Sequence, residues 1–373
     1  MCVLVLGLCA SRSAADGSTR TFLVGVDDDT LRWLTRPNGL VAAERSLGLR
    51  AVRVTIAWRR GDTIPQRRQQ VWLHRVALAI ELGQRIVLSV DGRAADAPLS
   101  ARDQLDYCTF VRHVVQRIPI QDVVIWNEAN NPTFWPRGGA AAYERLLARC
   151  WDMLHAARRS VDVIDSTAPH QQPARFLLAL GAAYRASGRS RPILDTFGHN
   201  AYPETSTEPP WATHTNGSID EGDYDQLVAV LGQAFGGTAQ PLPGQGATRI
   251  WYLEDGFQTQ IPPEKRHLYT GTETDVKAIP AAGAAAAAGG DAPPPDQATQ
   301  LSTAIELAYC QPYVGAFFNF ELIDDHQRPG WQSGLLWADG TPKPSDGAVR
   351  AAIAAVEAGT VDCSAILDLR SNG

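Results

Sequence analysis

Several features that would place a chain in a familiar class are missing from these 373 residues. Beyond the first ten positions, no segment approaches the roughly 18 apolar residues that a membrane-spanning helix needs. No glycine-rich phosphate loop follows an early apolar run, which argues against a dinucleotide-binding open sheet. No Cys/His spacing suits a zinc site, and no cofactor is implied. No strand-like run ends in Lys, so a barrel aldolase or isomerase lacks its usual nucleophile or metal ligands. Positive charge is scarce as well: the formal net charge of −6 gives nucleic acid or an anionic membrane little to bind. No internal repeat is visible, and a monomer is the simplest expectation.

What is present reads as one globular unit. Hydrophobic residues make up 45% and charged residues 20%, enough apolar material for a sizeable core. The chain opens with an apolar run from Cys2 to Ala10, followed by the small residues Ser13-Ala14-Ala15. That pattern predicts the remnant of a secretory signal peptide over residues 1–15, although it lacks a basic n-region. Of the six cysteines, Cys2 and Cys9 fall in that leader. Cys108, Cys150, Cys310 and Cys363 are left, an even number that suits an oxidising, extracellular setting. Placement on consecutive helices favours Cys108–Cys150 and Cys310–Cys363, with buried free thiols as the alternative.

Short apolar runs alternate with longer helical patterns. Strands are expected at Phe22–Val26, Ala51–Ile56, Arg85–Val90 and Val123–Trp126, then at Val161–Ile164, Thr196–His199, Arg249–Leu253 and Gly315–Phe320. Several are continuously hydrophobic, as strands buried on both faces are. Helices are expected at Gln70–Leu82, Ala101–Arg117, Ala140–Arg159, Ala298–Cys310 and Asp346–Glu357. Eight strands, each followed by a helix, give the rhythm of an α/β fold of the (β/α)8 TIM-barrel type. A doubly wound open sheet is the competitor. The barrel is expected to occupy residues 16–373, with long loops at 203–223 and 256–296. Both loops follow strands and so belong to the barrel face where active sites are built. The early part of the second is expected to wall a cleft, and its Ala/Gly/Pro run, Pro280–Pro295, to be mobile.

Two glutamates stand where such runs end. Val123-Val-Ile-Trp-Asn-Glu carries an apolar strand into Asn127 and Glu128, and Arg249-Ile-Trp-Tyr-Leu-Glu does the same for Glu254. An apolar setting raises a carboxyl pKa by penalising the anion, which keeps a proton available near neutral pH. Strands four and seven of an eight-stranded barrel face each other across its mouth. Two carboxyl groups held there, about 5–5.5 Å apart, would suit a retaining glycosidase.

On these motifs the chain resembles clan A of the glycoside hydrolases, over roughly residues 22–350. The resemblance implies that Glu128 is the general acid/base and Glu254 the nucleophile of a retaining β-glycosidase without a cofactor. It implies that Asn127 donates to the sugar 2-hydroxyl, although Asn127 capping the next turn is an alternative. Arg53, in Ala51-Val-Arg-Val-Thr-Ile-Ala-Trp, matches the clan's arginine inside the barrel, where it would hold the Glu254 carboxylate. An outward Arg bridging to a helix is the bland reading. Gly198-His-Asn-Ala-Tyr-Pro is similar to the clan's His-x-Tyr-Pro element, and Tyr202 fits the tyrosine beside the nucleophile. His199 is the candidate for the element's substrate-binding histidine but fits less well: either Asn200 takes its place, or His199 is displaced by one residue, which flips side-chain direction on a regular strand. His199 as a core or turn histidine is the alternative.

Other positions depart from the clan. Asp91 stands where many members have a His after strand three, and Phe320 where they carry a sugar-stacking Trp after strand eight. Phe320, Trp331 or Trp337 would then supply the stacking surface. Trp33, Trp58, Trp135 and Trp211 also fall near strand ends, and Trp135, just past the acid/base, is the first choice for a subsite platform. The partner expected is therefore a carbohydrate. A carbohydrate-binding pseudoenzyme on the same barrel is the alternative.

Overall fold

The computed structural model describes residues 22–34, 36–273, 278–283 and 295–372. The expected leader and positions 284–294 of the Ala/Gly/Pro run lie outside the described residues. Eight parallel strands form one sheet: β1 Leu23–Asp27, β2 Ala51–Ala57, β3 Arg85–Asp91, β4 Asp122–Ile125, β5 Asp162–Ile164, β6 Phe197–Asn200, β7 Ile250–Asp255 and β8 Val314–Phe320. Their order is β5-β4-β3-β2-β1-β8-β7-β6. Parallel bridges Ile164–Thr196 and Thr167–His199 join β5 to β6 and close the ring. The expected (β/α)8 barrel is the observed fold, and each strand begins and ends within two residues of its sequence-based position.

The helices that alternate with these strands are α1 Asn38–Ser46, α2 Arg67–Glu81, α3 Ala101–Arg117, α4 Ala140–Ala157, α5 Pro173–Ala186, α6 Tyr224–Phe235, α7 Gln297–Cys310 and α8 Asp346–Ala358. A further helix, α9 Cys363–Asn372, follows. No helix among the described residues is long and apolar enough to cross a membrane. Most of the core lies between strands and helices, built from outward residues such as Val52, Val54, Leu88 and Val123. A smaller plug of Ala51, Val87, Val124, Ile164, Trp251, Leu253, Ala316 and Phe318 fills the barrel itself. Period-two alternation separates the two sets, so within one strand Ala51 faces in and Val52 out. Gly198 sits where the closing strands crowd: a Cβ there would meet the Asp165 carbonyl at 2.0 Å.

Cys108–Cys150 ties α3 to α4, the helices flanking β4, and Cys310–Cys363 ties α7 to α9. Both expected pairings are present. They close loops of 42 and 53 residues, which in the chain-entropy account contributes roughly 4 kcal/mol apiece.

Candidate active site

A cleft of about 760 Å³ opens at the C-terminal ends of the strands. Its floor contains Arg53, Asn127, Glu128, Tyr202 and Glu254. Arg53 leaves β2 facing the interior, 1% exposed, so the outward reading is excluded. Its guanidinium binds the Asp27 and Glu254 carboxylates and donates to Asn127 Oδ1 at 3.0 Å. Burial works against the charge, but Asp27 and Glu254 outweigh it and hold the group protonated. Tyr202 donates to the second Glu254 oxygen at 3.2 Å.

Glu254 reaches the cleft through an irregularity. Leu253 belongs to the interior plug, so strict alternation would turn Glu254 outward. The register of β7 with β8 shifts between Tyr252 and Asp255, and this bulge lets neighbouring residues both face inward. Glu128 is delivered by strain instead. Trp126 and Glu128 hold φ of 67° and 41° around Asn127, a left-handed backbone that bulky residues rarely adopt. Ser166 Oγ accepts the Glu128 amide at 3.1 Å and donates to Asn127 Oδ1 at 3.3 Å, which pins the turn.

The Glu128 carboxyl accepts from Asn200 Nδ2 at 2.9 Å and from Asn131 Nδ2 at 2.6 Å. Burial, and then the Glu254 charge, push its pKa up to about 7. The two glutamates therefore share one site with unlike surroundings. One is held by a cation and a phenol, the other by two neutral amides.

Phe320, Trp331 and Tyr202 form an aromatic wall beside Glu254. Tyr202 and Trp331 stack with centroids 5.5 Å apart, and Phe320 meets Trp331 edge-on at 5.4 Å. Trp331 is 44% exposed, leaving ring surface free for a ligand. Trp33, 79% exposed, stands at the rim.

Other expectations need correction. Trp135 is not a cleft residue: it is 1% exposed, packs between Trp126 and Tyr143, and donates to the Gly139 carbonyl. Its neighbour Phe134 lines the cleft instead. His199 turns out of the barrel, bonded to Thr167 Oγ1 at 2.8 Å and the Ile219 carbonyl at 2.7 Å. Burial lowers its pKa to about 4, as befits a neutral core histidine. Asn200 takes the inward place, as alternation from Gly198 requires. Trp58 is buried and Trp337 packs over Lys343, so neither offers a sugar platform.

The 203–223 loop contributes Pro203 to Ser206 to the cleft wall, but among the described residues the 256–296 loop contributes only Gly256. Past Gly256 the latter buttresses the segment after β8. Gln258 pairs with Gln332, Tyr269 donates to Asp324, and Thr259 shares Lys343 with Asp324. Sequence reasoning also missed Asp27, Ser89, Asn131, Ser166 and Glu321. Asp27 lies one residue past the expected strand Phe22–Val26, and Asn131 three residues past Glu128. Nothing in the sequence signals that their side chains meet Glu128 and Arg53.

No family model and no curated protein sequence matches the chain. Solved structures do. A family 39 glycoside hydrolase from Bacteroides cellulosilyticus superposes with a TM-score of 0.61 at 14% identity over 91% of this chain. A GH53 catalytic domain from Ignisphaera aggregans gives 0.57 at 16%, covering 90% of this chain and 97% of its own. A monomeric β-xylosidase from Caulobacter crescentus gives 0.54 at 16%, covering 89% of this chain and 67% of its own. This chain spans only 64% of the length of the Bacteroides protein. In fold, the chain groups with glycoside hydrolase barrels.

Proposed function

We propose that the protein is a retaining β-glycosidase that hydrolyses β-glycosidic bonds of an oligo- or polysaccharide by double displacement. The observation that carries this reading is the unequal pair: Glu254 held by Arg53 and Tyr202, and Glu128 raised to about 7 by burial and by Glu254. A nucleophile must be held in line and a general acid must keep its proton: Arg53 and Tyr202 orient Glu254, and burial keeps the proton on Glu128.

In the first step Glu254 attacks the anomeric carbon while Glu128 protonates the departing glycosidic oxygen, forming a glycosyl ester. Ester formation removes the Glu254 charge, so the second-largest cause of the high Glu128 pKa disappears. Glu128 then accepts a proton from water as that water attacks the ester carbon, and Glu254 leaves as carboxylate. Asn127, with Oδ1 occupied by Arg53 and Ser166, has its amide N–H groups left for the 2-hydroxyl. Phe320 and Trp331 supply the stacking face. Two disulfides fit export to an oxidising compartment, with residues 1–15 as the leader and 16–373 as one catalytic unit.

The test is a panel of aryl β-glycosides and polysaccharides assayed with wild type beside Glu254→Gln. Release of sugar by wild type alone supports the reading, and equal activity in the variant contradicts it.

A further inference from the structure

The fixed charge lining the cleft is lopsided. Among the described residues only Arg32 and Arg53 bring permanent positive charge to its lining. Both are already taken by carboxylates of the same cleft, Arg32 by Asp29 at 2.9 Å and Arg53 by Asp27 and Glu254. Asp91 is left over. It ends β3, is 9% exposed and lines the cleft, and its Oδ2 accepts from Ser89 Oγ at 2.9 Å. No basic side chain comes within ion-pair distance of it among the described residues. After β8, Asp325 likewise lacks a basic partner among the described residues, as does Glu321, whose carboxyl is pushed by burial well up toward its neutral form.

A neutral hydroxyl can donate one hydrogen bond to a carboxylate such as Asp91, but it leaves the negative charge of the cleft where it was. An ammonium donates up to three bonds and cancels charge in a site partly closed to water, where charge-assisted bonds are about twice as strong. A sugar carboxylate would find no free cation in the lining among the described residues and would be repelled by the Asp91 carboxylate. The position of Asp91 is informative too. Ser89 Oγ links it to Arg53 Nη2 at 3.4 Å, and the same Nη2 binds Asn127 Oδ1 at 3.0 Å. Asp91 thus belongs to the same hydrogen-bonded relay as Asn127, with Ser89 and Arg53 between them, and both line the cleft.

Resting on the glycosidase reading, we infer that the substrate is a glycoside of an amino sugar with a free ammonium group, and that Asp91 is its counter-ion. Burial, only partly offset by Arg53, pushes the Asp91 carboxyl to about 6. That is a charge with a standing desolvation penalty, which a bound ammonium would relieve.

The experiment compares aryl β-glycosides of 2-amino-2-deoxy-glucose and -galactose with their N-acetyl, 2-hydroxy and uronic acid counterparts, using wild type, Asp91→Asn and Glu254→Gln. Binding of the free amino sugars to Glu254→Gln is followed by calorimetry, independently of turnover. Wild type should favour the free amine over the 2-hydroxy analogue in kcat/KM by roughly 30-fold, the worth of one buried charge-assisted bond. Asp91→Asn, which preserves the acceptor from Ser89, should collapse that ratio mainly through KM. The preference should also fade as pH rises through the amine's own pKa. Equal or better turnover of the 2-hydroxy or N-acetyl substrates overturns the inference, as does an Asp91→Asn effect that is uniform across the panel. Preferential binding of the amine to Glu254→Gln, lost on adding Asp91→Asn, without turnover by wild type would keep Asp91 as an ammonium-binding residue and overturn the glycosidase reading. Absence of both binding and turnover of the amines overturns the inference.

Discussion

On the floor of the cleft, each polar side chain is tied to at least one other. Arg53 joins Asp27, Glu254 and Asn127, while Asn200 and Asn131 clamp Glu128 and Tyr202 reaches Glu254. Along the walls the chemistry-bearing groups are looser. Trp33 and Trp331 are exposed, and Asp91, Glu321 and Asp325 lack a basic partner among the described residues. On the glycosidase reading, the floor is the part that resembles the clan pattern and would be preorganised for a transition state, while the walls depart from that pattern and would set the sugar preference. Bonds that must not move and surfaces that must fit a ligand are thus built from different parts of the same strand ends.

Breaking the floor should have the largest effect. Glu254→Gln should lower kcat by a factor on the order of 10⁴ to 10⁶, the range for removal of a catalytic nucleophile. Circular dichroism should report an intact fold, because Arg53 keeps Asp27. Arg53→Met should strike stability instead. It strands the Asp27 and Glu254 carboxylates in a buried site, at about 3–5 kcal/mol in a denaturant titration.

The next prediction separates the two glutamates by pH. The Glu128 pKa is raised from 4.5 to about 7, so the proton binds more tightly in the folded state. Its contribution to stability is complete below about pH 4.5 and is lost as pH rises through 7, a change on the order of 3 kcal/mol. Glu128→Gln should lack that loss, so denaturant titrations at pH 5 and pH 8 should differ less than in wild type. In the wild-type enzyme kcat/KM should fall above pH 7, where the acid loses its proton.

Wall changes should be smaller. Trp331→Ala should raise KM roughly 5-fold with little change in kcat, the worth of one stacking face. The 203–223 wall is held by His214, which contacts Glu208, Asp220 and Asp223. Desolvation opposes its charge, but hydrogen bonds to Asp223 and Glu208 raise its pKa to about 9. The clasp is complete below pH 6.5 and is lost as pH rises through 9. His214→Gln should therefore speed proteolytic nicking of that loop at pH 6 and change little at pH 10.

The barrel was legible in the sequence because strands buried on both faces leave continuous apolar runs that period and length identify. The two glutamates were legible because each terminates such a run. Their partners were not. Asn131 and Asn200 reach Glu128 only because the chain turns with positive φ at Trp126 and Glu128. A separate turn closed on the Asn131 carbonyl by the Phe134 and Trp135 amides buries Trp135 and leaves Phe134 at the cleft. His199 was misread for want of a register, since alternation places Gly198 and Asn200 inward and leaves the histidine outside. The β7 bulge runs the other way, turning Glu254 inward where alternation alone would have excluded it. The 256–296 loop follows a strand, as a cleft loop should, yet Gln258, Thr259 and Tyr269 find partners in the segment after β8.

One measurement bears most directly on the floor. The protein is incubated with activated 5-fluoro β-glycosides, spanning amino and neutral sugars, and digested for peptide mass spectrometry. The account predicts a single glycosyl adduct on Glu254, absent from Glu254→Gln. An adduct on another carboxylate, or turnover of the same substrates that inverts the anomeric centre without any adduct, would contradict it.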